Sequence, residues 1–132
     1  NLRNEQGDSL LMLAAYHGHA QLVRALMQHG ADPGLANDRG QVPLAAAAFK
    51  GSVEVVRALL DGGAPVDGHG PDGRAALFTA AMFNRLDVLE LLLDRGADPR
   101  LRDVSGMNAR EAARKMGAED AAQRLAAQDA SV

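Results

Sequence analysis

The chain has 132 residues, 23% of them charged, and a formal net charge of -3, which is long enough for one domain with its own core. It has no cysteine, which excludes disulfides, thiolate metal clusters and a cysteine nucleophile, and its mild acidity gives no basic face for nucleic acid. Aromatic residues make up 3% and alanine is abundant, a balance that favours closely packed helices over β-sheet.

In chain order, "SLLMLAAYH" (9–17) predicts a short helix ended by Gly18. "HAQLVRALMQH" (19–29) predicts a second helix, with Leu22, Val23, Leu26 and Met27 on one face. Gly30 stops it, because glycine takes the left-handed conformation without steric cost, and Pro33 prevents a restart. "LANDRGQ" (35–41) then has the polar residues and glycine of a tight turn or hairpin. The cycle repeats in "GQVPLAAAAFKGS" and in "GRAALFTAAMFNR", where Asn84, the side chain best suited to a left-handed site, stands in for glycine. The phrase "GADP" (30–33) returns at 96–99, and between them "GAPV" (63–66) moves proline onto the aspartate position. The turn that follows, "DGHGPDG" (67–73), is therefore expected to differ from its neighbours. After "LRDVSGM" (101–107), "GAEDAAQRLAAQD" carries Ala121, Ala122 and Ala126 where earlier helices have larger apolar residues, as a slim polar cap needs.

These features keep a period of 33. Glycines fall at 7, 40, 73 and 106, the corner series is Gly18, Gly51, Asn84 and Gly117, and a third series is Gly30, Gly63 and Gly96. Alanines at 14, 47, 80 and 113 and leucines at 26, 59, 92 and 125 keep the same beat. One such unit cannot bury its own apolar stripe, whereas stacked units can, which gives a quasi-one-dimensional solenoid. Ala14, Ala15, Ala47, Ala48, Ala80 and Ala81 are expected to let paired helices approach closely.

A 33-residue unit with "GDSLLMLAAYHGH" and "GADP" resembles the ankyrin repeat of bacterial proteins. The resemblance implies an all-α repeat solenoid in which each unit is a turn or β-hairpin finger plus two antiparallel helices. It divides a single domain, 1–132, into units near 4–36, 37–69, 70–102 and a degenerate cap at 103–128. The family's "TPLH" is replaced by "SLLM", "VPLA", "AALF" and "NARE". The threonine–histidine hydrogen bond is thus absent from every unit, a loss of roughly 1 kcal/mol each that packing has to cover. "NLRN" aligns with the unit tail "GLAN" (34–37), and Leu10, Met12 and Leu13 are expected to be exposed, so more chain is expected before Asn1.

Other motifs have structural explanations. "GHGPDG" (68–73) matches a dinucleotide fingerprint but follows a helix instead of a strand. His17, His19 and His29 fall short of a convincing set of converging metal ligands. Ser9, Ser52, Ser105 and Ser131 sit at turns, helix starts or the tail, outside any nucleophile elbow. Asp61, Asp94 and Asp98 recur at helix ends, where capping or turn bonding accounts for them. No catalytic, metal or cofactor site is expected. The longest apolar runs are about half a membrane span and no signal start is evident, so the expected location is the cytoplasm, or the periplasm if a signal was removed.

The resemblance implies protein binding through a concave face of finger tips and first helices. Its variable positions are Arg3, Glu5, Gln6, Asp8, Tyr16 and His17; Ala36, Asp38, Arg39, Gln41, Phe49 and Lys50; His69, Pro71, Asp72, Arg74, Met82 and Phe83; and Arg102, Val104, Ser105 and Met107. All four aromatics, Tyr16, Phe49, Phe78 and Phe83, fall on first helices. Tyr16, Phe49 and Met82 share one repeat position and form a row beside Phe83, either as binding anchors or as packing; Phe78 takes the missing histidine's place and is expected to pack. A protein partner fits such a row with a charged rim, for a chain that is a monomer or weak homo-oligomer without nucleic-acid or membrane partners. The alternatives are a structural or self-associating segment of a larger protein and an engineered binder on the same scaffold.

Overall fold

A computed structural model describes residues 9–130, with side chains through residue 128. The expectations for "NLRN", Arg3, Glu5, Gln6, Gly7, Asp8 and Ser131 lie outside the described residues. Eight helices are described: α1 (Leu10–Tyr16), α2 (Ala20–Gln28), α3 (Pro43–Lys50), α4 (Val53–Asp61), α5 (Ala76–Met82), α6 (Leu86–Asp94), α7 (Ala109–Lys115) and α8 (Glu119–Ala130). Odd-numbered helices pack on one another in an inner layer and even-numbered helices in an outer one.

The corners between helices follow one rule. At residues 18, 51, 84 and 117 the backbone has φ of 77°, 74°, 56° and 75°, and at 30, 63 and 96 it has φ of 87°, 99° and 89°. Each left-handed residue turns the next N–H back onto a carbonyl five residues earlier: His19 to Ala14, Ser52 to Ala47, Arg85 to Ala80 and Ala118 to Ala113. Second helices close in the same way through Ala31 to Leu26, Ala64 to Leu59 and Ala97 to Leu92. This is the Schellman closure, which satisfies a helix-end carbonyl and redirects the chain in one step. The dipeptide Gly-Ala, common to "GADP" and "GAPV", is this closure written in sequence.

Asparagine at 84 has a second role. Its Oδ1 accepts the N–H of Ala121, 3.0 Å away in the first turn of α8, and so caps a helix of the next pair. The expected difference after "GAPV" is also present. Asp32 and Asp98 each accept, through Oδ1, the N–H two residues on, at 2.8 and 2.9 Å. Pro65 cannot, and keeps only the backbone bond from Gly68 N–H to its carbonyl, 3.1 Å.

The fingers diverge more. Asn37 and Asp103 close their hairpins with N–H bonds to the carbonyls of Gln41 and Met107, both 2.9 Å. Their Oδ1 atoms accept the N–H groups of 39 and 41 and of 105 and 107. The third finger has Gly70 at this position and keeps only the inner bond, Gly73 N–H to Gly70 carbonyl. A Cβ on Gly70 would lie 1.9 Å from the carbonyl oxygen of Gly40. The second and third fingers are thus stacked backbone on backbone, and glycine is required for lack of space.

The inner layer is alanine: Ala15, Ala47, Ala48, Ala80, Ala81 and Ala113 are fully buried, which brings the first helices close together. The outer layer supplies the bulk through Val23, Val56, Leu59, Leu89, Leu92 and Leu125, each contributing roughly 1.5–3 kcal/mol of burial. Phe78 is buried, as expected. Two sequence expectations are corrected. Met12 is buried, at 3% exposure, as are its repeat equivalents Ala45 and Phe78. Leu22 is 42% exposed and is not part of the packed stripe. Its repeat equivalents Val55, Val88 and Ala121 are covered by a preceding helix pair, and α1–α2 is the first pair described. Leu10 is exposed for the same reason.

Replacing Asn84 with glycine should keep the corner and lose the α8 cap, lowering stability by about 1 kcal/mol. Alanine should cost about 1–2 kcal/mol more by opposing the left-handed backbone; urea unfolding of the two variants measures both. Gly70→Ala should lower the urea midpoint by the equivalent of about 1–3 kcal/mol as the stacked fingers part.

Candidate functional site

Two adjacent repeat positions at the C-terminal ends of the first helices form two columns; the first is the last residue of α1, α5 and α7 and the last but one of α3. One column is Tyr16, Phe49, Met82 and Lys115, and the other is His17, Lys50, Phe83 and Met116. Tyr16 is 40% and Phe83 37% exposed, while Phe49 and Met82 are half-buried.

Contacts run diagonally from one repeat to the next. Lys50 Nζ stands 4.7 Å from the Tyr16 ring centroid, a cation–π contact. Phe83 meets Phe49 edge-to-face, with centroids 4.8 Å apart and planes at 86°. His17 stands edge-on to Tyr16 at 5.2 Å. Arg85 Nε donates to the Phe49 carbonyl, 2.9 Å, which caps α3 from the following repeat. Tyr16 and Phe49 are thus each packed against a residue of the following repeat, and Tyr16 and Phe83 also remain exposed. Met116 extends the second column and is 50% exposed. It is absent from the sequence-derived set, although its place 33 residues after Phe83 marks it.

Between α1 and the finger at 36–41 lies a cleft of about 190 Å3, lined by Met12, Leu13, Tyr16, His17, Asn37, Arg39 and Gln41. Four of the sequence-derived residues, Tyr16, His17, Arg39 and Gln41, meet here. Gln41 is tied into the finger, its side-chain oxygen accepting from Asn37 Nδ2 at 3.3 Å. Asp38 is exposed at the finger tip.

Arg74, Asp72 and Met107 belong to a different cluster, which joins the third and fourth fingers. Arg74 Nε donates to Asp103 Oδ2, 3.3 Å, and its guanidinium lies 5.2 Å from the Phe78 ring centroid. Asp72 accepts the Arg74 N–H and passes its own carbonyl to Val104 N–H, 3.0 Å. Asp103 is buried, and its Oδ1 accepts from the Ser105 hydroxyl at 2.6 Å and from the N–H groups of Ser105 and Met107. The Ser105 hydroxyl bond, aided by the Met107 N–H and Arg74, holds this carboxyl down at about 2 against the upward pull of burial. Arg74 is thus a bridge between fingers as well as part of their surface.

Among the described residues no group of three or more His, Cys, Asp or Glu side chains converges as a metal site. His17 and His19 lie with ring centroids 6.4 Å apart. No described helix is long and apolar enough to cross a membrane.

Stacked helix pairs, with the described fingers between successive pairs, define a helical repeat solenoid. The family model for ankyrin repeats, in three copies, matches residues 11–103, and the chain belongs to the ankyrin repeat family. A stretch of 24 residues is 79% identical to PA3287 of Pseudomonas aeruginosa, an ankyrin repeat protein by name. That stretch covers 18% of this chain and 14% of the relative's length. Ankyrin repeats are generally protein–protein interaction modules, and the family is typically non-enzymatic.

The lowered pKa of Asp103 fixes the sign of a pH effect. Its stabilisation is complete above the unfolded value near 4 and is lost as pH falls toward about 2. Wild-type urea midpoints should drop over that window. In Asp103→Asn, which stays neutral, the drop should be shallower from a lower starting stability.

Proposed function

We propose that the chain is a non-catalytic binding module that holds a partner protein on the face formed by the first-helix row and the fingers. The observation that carries this reading is the combination of exposure and rigidity at Tyr16, Phe49 and Phe83. Each ring is braced by a neighbour from another repeat or by its own helix, yet keeps an open side. Large, pre-positioned aromatic and methionine side chains surrounded by polar ones are what interface centres are made of, because little side-chain entropy remains to be lost on binding.

The proposed contact set is Tyr16, His17, Asp38, Arg39, Gln41, Phe49, Lys50, Asp72, Arg74, Met82, Phe83 and Met107, to which the register adds Met116. Tyr16, Phe49 and Phe83 would serve as anchors; Asp38, Arg39 and Lys50 would act as the selective rim. The unit boundaries near 4–36, 37–69, 70–102 and 103–128 form part of the same proposal, with each unit contributing one finger and one step of the row.

Replacing Tyr16 and Phe49 together with alanine should remove partner capture while unfolding stays cooperative, since both side chains lie outside the fully buried layer. Parallel affinity captures from a bacterial extract with wild type and variant, followed by mass spectrometry, check this. Proteins retained equally by both would show that the row is not the binding face. Light scattering across a concentration series tests self-association, since a stable dimer lost in the double variant would assign the row to a second copy.

A further inference from the structure

Charge is segregated between the two helix layers. The second helices carry eight carboxylates against three arginines, and the first helices carry four cations against one carboxylate. The formal net charge of -3 is thus concentrated on the outer layer and reversed on the inner one. In the two columns of the row, Lys50 and Lys115 are present and no carboxylate is.

The finger arginines sharpen this. Arg74 is paired with buried Asp103, and Arg102 with Glu111 at 3.1 Å. Arg39 donates its backbone N–H to Asn37, but its guanidinium has no ion pair or side-chain hydrogen bond among the described residues. It stands at the wall of the cleft that also holds His17 and Tyr16. Lys50 is held over the Tyr16 ring by a contact that positions its ammonium without neutralising it. The cleft, about 190 Å3, exceeds the roughly 150 Å3 cavity that accepts benzene in another protein, so it has room for one aromatic or branched apolar side chain.

We infer that the partner docks through an acidic polypeptide segment, with one aromatic or branched apolar side chain in the cleft and carboxylates beside it on Arg39 and Lys50. This rests on the protein-binding reading above and specifies its chemistry. Charge complementarity selects the occupant, because an acidic segment gains on the inner layer and is repelled by the outer one. A nucleic acid is also anionic, so an oligonucleotide is the competing ligand in the test.

The test is to pan a displayed library of random dodecapeptides against wild type and against Tyr16→Ala/Phe49→Ala, after checking by urea unfolding that both fold cooperatively. Peptides enriched on wild type and lost on the double variant should be net acidic with an aromatic or branched apolar residue. Their synthetic forms should bind Arg39→Glu at least about tenfold more weakly and Arg39→Lys nearly as well as wild type. Row-dependent peptides that are neutral or basic would overturn the acidic assignment and leave the binding reading standing. Absence of any row-dependent peptide would overturn both. A single-stranded oligodeoxythymidylate binding as tightly as the best peptide would overturn it in favour of nucleic acid.

Discussion

The backbone closure at each helix end is the interaction on which the rest depends. A left-handed residue followed by an N–H that returns five residues ends each of the first seven helices, at residues 18, 30, 51, 63, 84, 96 and 117, and redirects the chain. The closure is local, so it costs no long loop, and its recurrence every 33 residues keeps neighbouring pairs in phase. Only when the pairs are in phase can Val56 and Leu59 fill the space left by the pair before them, and Leu89 and Leu92 the next. A helix pair without this phase would bury part of its stripe at best.

The alanine layer follows from the same geometry and shapes the surface. With Ala15, Ala48 and Ala81 fully buried between first helices, these helices stand close together. Residues at their ends then reach across to the next repeat, Lys50 to Tyr16 and Phe83 to Phe49. Small side chains in the interior are thus the reason that large ones on the rim touch in series. The fingers obey a parallel restriction, since Gly70 sits where any side chain would strike the Gly40 carbonyl, and Asp103 spends its carboxylate on three finger donors and Arg74.

The outer layer is held differently. Arg95 pairs with Asp61 and Arg124 with Glu90, each across one repeat boundary. Exposed pairs of this kind contribute little individually, about 0–1 kcal/mol, beside the burial of the leucines beneath them. Their larger consequence is electrostatic. They leave a surplus of carboxylate on the outer helices, while the inner row stays cationic and apolar. The two helix layers of the stack therefore differ in charge as well as in side-chain size.

The corners were legible because left-handed backbone is a property of single residues: glycine at 18, 51 and 117, and asparagine as the permitted exception at 84. Helix extents, the buried alanines and the shared position of Tyr16, Phe49 and Met82 followed from period alone. What period could not reveal was which equivalent positions are covered. Leu22 and Val55 are indistinguishable in pattern, yet one is exposed and the other buried, because burial depends on the presence of a preceding pair. Met12 is buried and shares a cleft with a finger some twenty-five residues away. Asn84 as a cap for α8, Arg74 as a partner of Asp103 and Arg39 at the wall of a cleft were decided only by tertiary structure. Local sequence determines backbone conformation through the sterics of one residue at a time. Side-chain partners are chosen by packing between repeats, and no single repeat contains that information.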